Sequence, residues 1–247
     1  MNAQLAIMRV TLRRLITRKR VIGLALFASV PAIIILFAST GERGSDRLTS
    51  LYHDTTFGIL ISVALPVIAI VNGAAALGDE RRSHTMPFLA LKPIPRWSIA
   101  LSTTIASVGA TLTIAFVGVG LGWLAAGSAT GDWGVGKGPA LAALVAAIGY
   151  GTIFVPIGLL TRRATVIGLI YLFLWEASFA NAVGALAPTS LSHIALQAYV
   201  DISPGISPAE ALGTLQPDLG KALLKMVVVA IVSLAFTTWA LRKQDLA

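Results

Sequence analysis

Six stretches of this chain are almost unbroken in apolar side chains: Val21–Thr40, Phe57–Leu77, Ile99–Ala126, Ala140–Leu160, Val166–Leu186 and Leu223–Leu241. A helix rises 1.5 Å per residue and the hydrocarbon slab of a bilayer is about 30 Å thick, so each run has the length that a membrane crossing needs. With 56% hydrophobic and 12% charged residues among 247, and a mean hydropathy of +0.82, the chain has too much apolar surface for one soluble core. Disorder is excluded by the same composition, and a disulfide scaffold by the lack of cysteine. None of the runs alternates as a membrane β-strand does. The third is long enough to tilt or to project beyond the bilayer, and the absence of an internal repeat argues against an inverted-repeat carrier. The first exceeds a signal-peptide core and lacks a small-residue cleavage site, so it is read as a span. The expected fold is all-α and integral to the membrane.

Basic residues set the orientation. Of the 19 Lys and Arg, six lie in the first 20 residues, four in Gly78–Ser98, two in the fourth loop and two in the C-terminal tail. These segments share one side of the membrane, with Asp79, Glu80 and Asp245 as their only acids. Positive-inside bias makes that side cytoplasmic, both termini included, in a multi-pass protein of the cell (plasma or inner) membrane. Trp97 and Trp239 then mark the inner interface and Trp123 the outer one. The same distribution disposes of nucleic acid as a partner, although the pI is near 10.3.

Two segments outside the spans carry apolar residues. In residues 1–20, Leu5, Met8, Leu12, Leu15 and Ile16 fall within about a 100° arc of a helical wheel, with Arg9, Arg13, Arg14 and Arg18 outside it. Ile7 and Val10 lie off that stripe and Lys19 on it. The pattern suits an amphipathic helix in the cytoplasmic interface, the other reading being a solvated basic tail. The single six-helix transmembrane domain then occupies 21–247. Its outer segment Ala187–Ala222 contains Pro188, Pro204, Pro208 and Pro217, and is too short for a receptor domain and too apolar for a free linker. By composition it is an ordinary interfacial loop, whereas the family resemblance carried by the loop between the second and third spans implies a hairpin that re-enters the outer leaflet before the last span.

Chemical motifs are few. GDWGVGKG at Gly131–Gly138 nearly spells a phosphate-binding loop, but Gly138 replaces the hydroxyl that would ligate magnesium, and no strand precedes it. The chain is therefore expected to hold no cofactor and not to be an enzyme. Gly149-Tyr150-Gly151 resembles a channel filter, yet it lies within an apolar span, where small residues serve close helix packing; Gly118 and Gly122 read the same way. His53, His84 and His193 are far apart and give no metal site. Glu176 stands out. It lies at the centre of the fifth span, where an ionised side chain costs roughly 3 kcal/mol. It lines a substrate path or subunit seam, or else it is a hydrogen-bonded packing residue. Asn72 and Asn181 are weaker candidates of the same kind, and Pro66 is a candidate kink in the second span.

The loop between the second and third spans mixes charges with Met86, Phe88, Leu89 and Leu91, offering a short helix with an apolar face that Pro93 and Pro95 would end. Alternatively it caps the spans. Glu80, Thr85, Phe88, Leu89 and then Lys92, Pro93, Ile94, Pro95 and Arg96 stand in the order seen in ABC-2 type permeases, which the chain resembles along its whole length. His84 replaces a Gly of that pattern, and Pro87 stands where an acid is common. The resemblance implies the membrane subunit of an ATP-binding-cassette transporter, an exporter. It would pair with a second copy or a homologous permease and with two cytoplasmic ATPases that hold ATP and magnesium. Asp79, Glu80, Arg81, Thr85, Phe88, Leu89, Lys92 and Arg96 would couple it to them. The rival readings are a stand-alone channel or proton-coupled carrier using Glu176, and a membrane anchor that recruits a cytoplasmic protein.

Overall fold

The computed structural model describes residues 3–41, 44–82, 95–179, 184–203 and 217–244, and among them every regular element is helical. The N-terminal segment forms α1 (Ala3–Leu15), whose Thr11 and Leu15 are buried and whose Ile7, Met8 and Leu12 are half-buried. It packs along the Arg96–Thr130 helix rather than lying apart from the bundle. Ile7, off the expected stripe, belongs to the packed face, while Leu5, Val10 and Ile16 stay exposed.

The first span is broken. Helices α2 (Arg18–Ala28) and α3 (Val30–Ser39) meet at a 45° bend. Pro31 has no N–H to continue the ladder, and the Ser29 hydroxyl donates to the Ala25 carbonyl (2.7 Å), which together account for the kink.

The second span starts well before its hydrophobic run. Helix α4 (Ser45–Thr55), a π-helical stretch (Thr56–Ala64) and α5 (Leu65–Arg82) follow one another, and Ser45–Gly78 counts as one 34-residue helix. That is about 51 Å, well beyond the slab. The polar α4 is helical because Leu48, Tyr52 and His53 bury one face against the bundle. The Leu65 N–H reaches back five residues to the Leu60 carbonyl, and Pro66, with no N–H to give, follows at once. Pro66 therefore sits at the end of a π turn.

Helix α6 (Arg96–Thr130) stops at Gly131, whose φ of +78° is the left-handed cap that glycine adopts without strain. After a short 3₁₀ turn comes α7 (Lys137–Leu160), the centre of the bundle, which contacts α5, α6, α9 (Leu191–Ile202) and α10 (Leu219–Gln244). Its interior Pro156 cannot donate to the Thr152 carbonyl. Ser233 of α10 fills that acceptor (2.7 Å), and Ser107 of α6 donates to the neighbouring Gly151 carbonyl (3.1 Å). An added Cβ at Gly158 would lie 2.5 Å from the Ala74 carbonyl, so α5 and α7 touch through their backbones. Side chains at Gly149, Gly151 and Gly118 would likewise meet Met226, Val108 and Ala28, which is the packing role expected of these small residues.

The fifth span departs most from expectation. Helix α8 (Ala164–Ile170) runs into a second π-helical stretch, Tyr171–Phe179. These 16 residues cover about 24 Å, short of the slab. A 3₁₀ turn (Gly184–Thr189) then leads into α9 (Leu191–Ile202), which is buried on nearly every side against α7 and α10. Residues 166–186 are thus not one regular helix. The last span is α10 (Leu219–Gln244), begun by Asp218, whose carboxylate accepts the Lys221 N–H (2.8 Å). Among the described residues four helices are long and apolar enough to cross a membrane, five if the bent pair counts as one, where the sequence led to an expectation of six.

Candidate functional site

Glu176 lies on the second π turn and is almost fully buried. Its carboxylate closes the N-terminus of α9. Oε1 accepts from the Tyr171 hydroxyl (2.8 Å) and the Leu191 N–H (3.0 Å). Oε2 accepts from the Ser190 hydroxyl (2.5 Å), the Ser192 hydroxyl (2.7 Å) and the Ser192 N–H (3.2 Å). The first N–H groups of a helix lack intrahelical partners and carry the positive end of its dipole, so an anion is well placed there. Ser190, in extended conformation, is the N-cap, and its oxygen accepts the His193 N–H (3.3 Å). Because Ser190 gives its proton to Glu176, the 3.0 Å contact between its oxygen and His193 Nδ1 requires the imidazole to donate from Nδ1. The acceptor nitrogen of His193 is then Nε2. Tyr150, fully buried on α7, lies within electrostatic reach of the same carboxylate.

A cavity of about 300 Å³ opens beside this contact. The first π turn contributes Phe57, Ser62 and Val63, the second Leu172, Phe173 and Glu176, and α9 contributes Ser192, His193 and Leu196. Both π turns among the described residues border this one space, and π turns are frequent at functional sites. Near its other end α9 is tied to α4, where His53 Nδ1 and the Tyr199 hydroxyl lie 2.6 Å apart. Helix α9 is therefore held by a polar contact at each end.

Of the expected site residues that are described, Glu176 alone is among those lining this cavity. Asn72 is fully buried on α5 and donates to the Thr111 hydroxyl of α6 (3.3 Å), a contact between spans. Asp79, Glu80 and Arg81 lie in the last turn of α5, and Arg96 opens α6, where it is half-buried and has a partner. Thr85, Phe88, Leu89, Lys92 and Asn181 lie outside the described residues. Among the described residues no cluster of His, Asp or Glu could hold a metal ion.

Tyr171, Ser190 and Ser192 were not singled out from the sequence, and His193 was weighed there only as a metal ligand. A serine two residues after Pro188 and just before an apolar run is a legible N-cap signal. Nothing local, however, joins it to an acid 14 positions earlier.

Buried polar contacts between apolar helices of this length define a multi-pass membrane protein. The chain belongs to the ABC-2 family: the model described as ABC-2 family transporter protein matches residues 16–184, from the end of α1 to the turn before α9. No curated protein matches the chain.

Proposed function

We propose that this chain is the permease subunit of an ATP-binding-cassette exporter in the cell membrane, with both termini cytoplasmic. The observation that carries this reading is the family match over residues 16–184. A second copy or a homologous permease would complete the path. Two cytoplasmic ABC ATPases would hold ATP and magnesium, this chain itself being no enzyme. Closure of the ATPases would press on Asp79, Glu80 and Arg81, on the loop with Thr85, Phe88, Leu89 and Lys92, and on Arg96. Helix α5 continues from the first of these contacts into the first π turn, so an axial push reaches the wall of the Glu176 cavity through one continuous element. Moving a π turn along a helix by one residue turns the side chains it passes by about 100°, which would reshape that wall. Glu176 meanwhile holds α9 as the opposite wall.

The test is transport by the assembled complex. Phe88→Asp and Leu89→Asp should reduce ATPase binding or ATP-driven transport while the chain still inserts. Normal assembly and transport by both variants would remove the loop from the coupling path.

A further inference from the structure

His53 is a buried titratable group that neither the Glu176 contact nor the coupling path uses. Its side chain sits on α4, four residues ahead of the apolar run of the second span, and the residue is only 7% exposed. Nδ1 lies 2.6 Å from the Tyr199 hydroxyl near the C-terminal end of α9. Nε2 is buried and has no hydrogen-bond partner among the described residues. Aromatic rings close the space around it: Tyr52 is 5.7 Å from the imidazole, Tyr199 meets it edge-on, and Phe57 packs on Tyr199.

This arrangement suits only the neutral ring. A neutral imidazole has one donor and one acceptor nitrogen, so the Tyr199 hydroxyl can give its proton to Nδ1 and a single Nε2–H stays unmet. An imidazolium donates from both nitrogens. The Tyr199 hydroxyl would then have to turn its proton away, and a charged N–H at Nε2 would remain buried without an acceptor. Among the described residues, the charged groups within electrostatic reach of the ring are Asp54 on its own helix and Asp132 in the turn after α6. Both are exposed, and both favour the cation. The facing phenols, Tyr52 and Tyr199, are neutral throughout the range in which imidazole titrates. Burial outweighs the two acids and holds the His53 ring below its ordinary value.

We propose that the His53–Tyr199 contact is a pH-sensitive latch, in which protonation of His53 frees the C-terminal end of α9 from α4 while Glu176 keeps the other end docked. Once freed, the ring is solvated and titrates near its usual value of about 6.5, whereas the latched ring resists the proton. Proton binding therefore favours the open form. The latch is closed at neutral pH and above, and it weakens as pH falls through about 6.5. Ser192, His193 and Leu196 of α9 line the Glu176 cavity, so release reshapes that wall. That the sensed pH is the outer one rests on the orientation proposed above; the latch itself does not.

The test uses the full chain in nanodiscs, with amide hydrogen exchange of residues 196–202 read by mass spectrometry at pH 7.5 and 5.5 and corrected for intrinsic rates. In the wild type, protection should fall about tenfold at the lower pH. His53→Gln still offers the Tyr199 hydroxyl an acceptor but cannot take a proton. It should keep near-wild-type protection at pH 7.5 and lose the pH response. Tyr199→Phe removes the tie, so its protection at pH 7.5 should already be severalfold lower. Equal protection of the wild type at both pH values would overturn the proposal, as would an undiminished pH response in His53→Gln or full protection in Tyr199→Phe. No ATPase or transport enters the measurement, so its failure is separate from any failure of the permease reading.

Discussion

The seam between α5 and α7 and the seam between the second π turn and α9 are both buried, yet they are closed by opposite chemistry. At the first, side chains are missing: Gly73 abuts Phe154 and Gly158 abuts the Ala74 backbone, so contact comes from proximity. At the second, one carboxylate gathers five donors. Close packing without polar groups tolerates no added volume and responds to no charge. A seam held by one carboxyl group tolerates changes of shape around it, but it depends on that single side chain. Of the two, the second borders the cavity.

The largest effect should come from Glu176→Leu, which leaves two backbone N–H groups and three hydroxyls of the α9 contact without their acceptor. It should cost about 4 kcal/mol of stability, measured by reversible unfolding in detergent or bicelles. Gly158→Val should cost about 3 kcal/mol by forcing α5 away from α7, and added denaturant should separate those two helices first. If Gly158→Val proves the milder by far more than this difference, or harmless, the contrast drawn between the seams is wrong.

Glu176→Gln sharpens the comparison. An amide that keeps its oxygen toward Tyr171 and Leu191 turns its NH2 toward the Ser192 N–H, a donor facing a donor. The expected loss is about 2 kcal/mol, with Glu176→Asp no substitute because its shorter stem cannot reach both N–H groups. Wild-type stability together with wild-type transport in the Gln variant would show that the charge is dispensable. Smallest is Ser233→Ala, about 1 kcal/mol, because it leaves only the Thr152 carbonyl beside Pro156 unfilled. Restoring the helix bond with Pro156→Ala in the same chain should recover most of it.

Hydropathy reports the free energy of transfer into lipid, and it located the spans to within a few residues wherever lipid transfer decides the structure. Where tertiary contact decides, it did not. Helix α4 reads as a polar loop, and only the burial of Tyr52 and His53 makes it a continuation of the second span. The bend at Ser29 and Pro31 was written in two residues, but it fell inside an apolar run and carried no hydropathy signal. Glu176 was conspicuous because a carboxylate is costly in hydrocarbon. What offsets that cost lies across a chain break in periodicity, on a helix whose own apolar face resembles any interfacial segment. Pro66 explains where the first π turn ends; we find no local sequence cause for the second.

The way α9 is held also bears on how the chain is made. At 12 residues it is too short to enter a bilayer as an independent crossing element. Its anion site is supplied by a residue synthesised 14 positions earlier than Ser190, and its other tether, His53, earlier still. Each docking group is therefore synthesised before α9, and α10, which packs against it, after. Biogenesis of this protein would proceed by threading a late segment into a finished socket, with Glu176 as the point where insertion becomes folding.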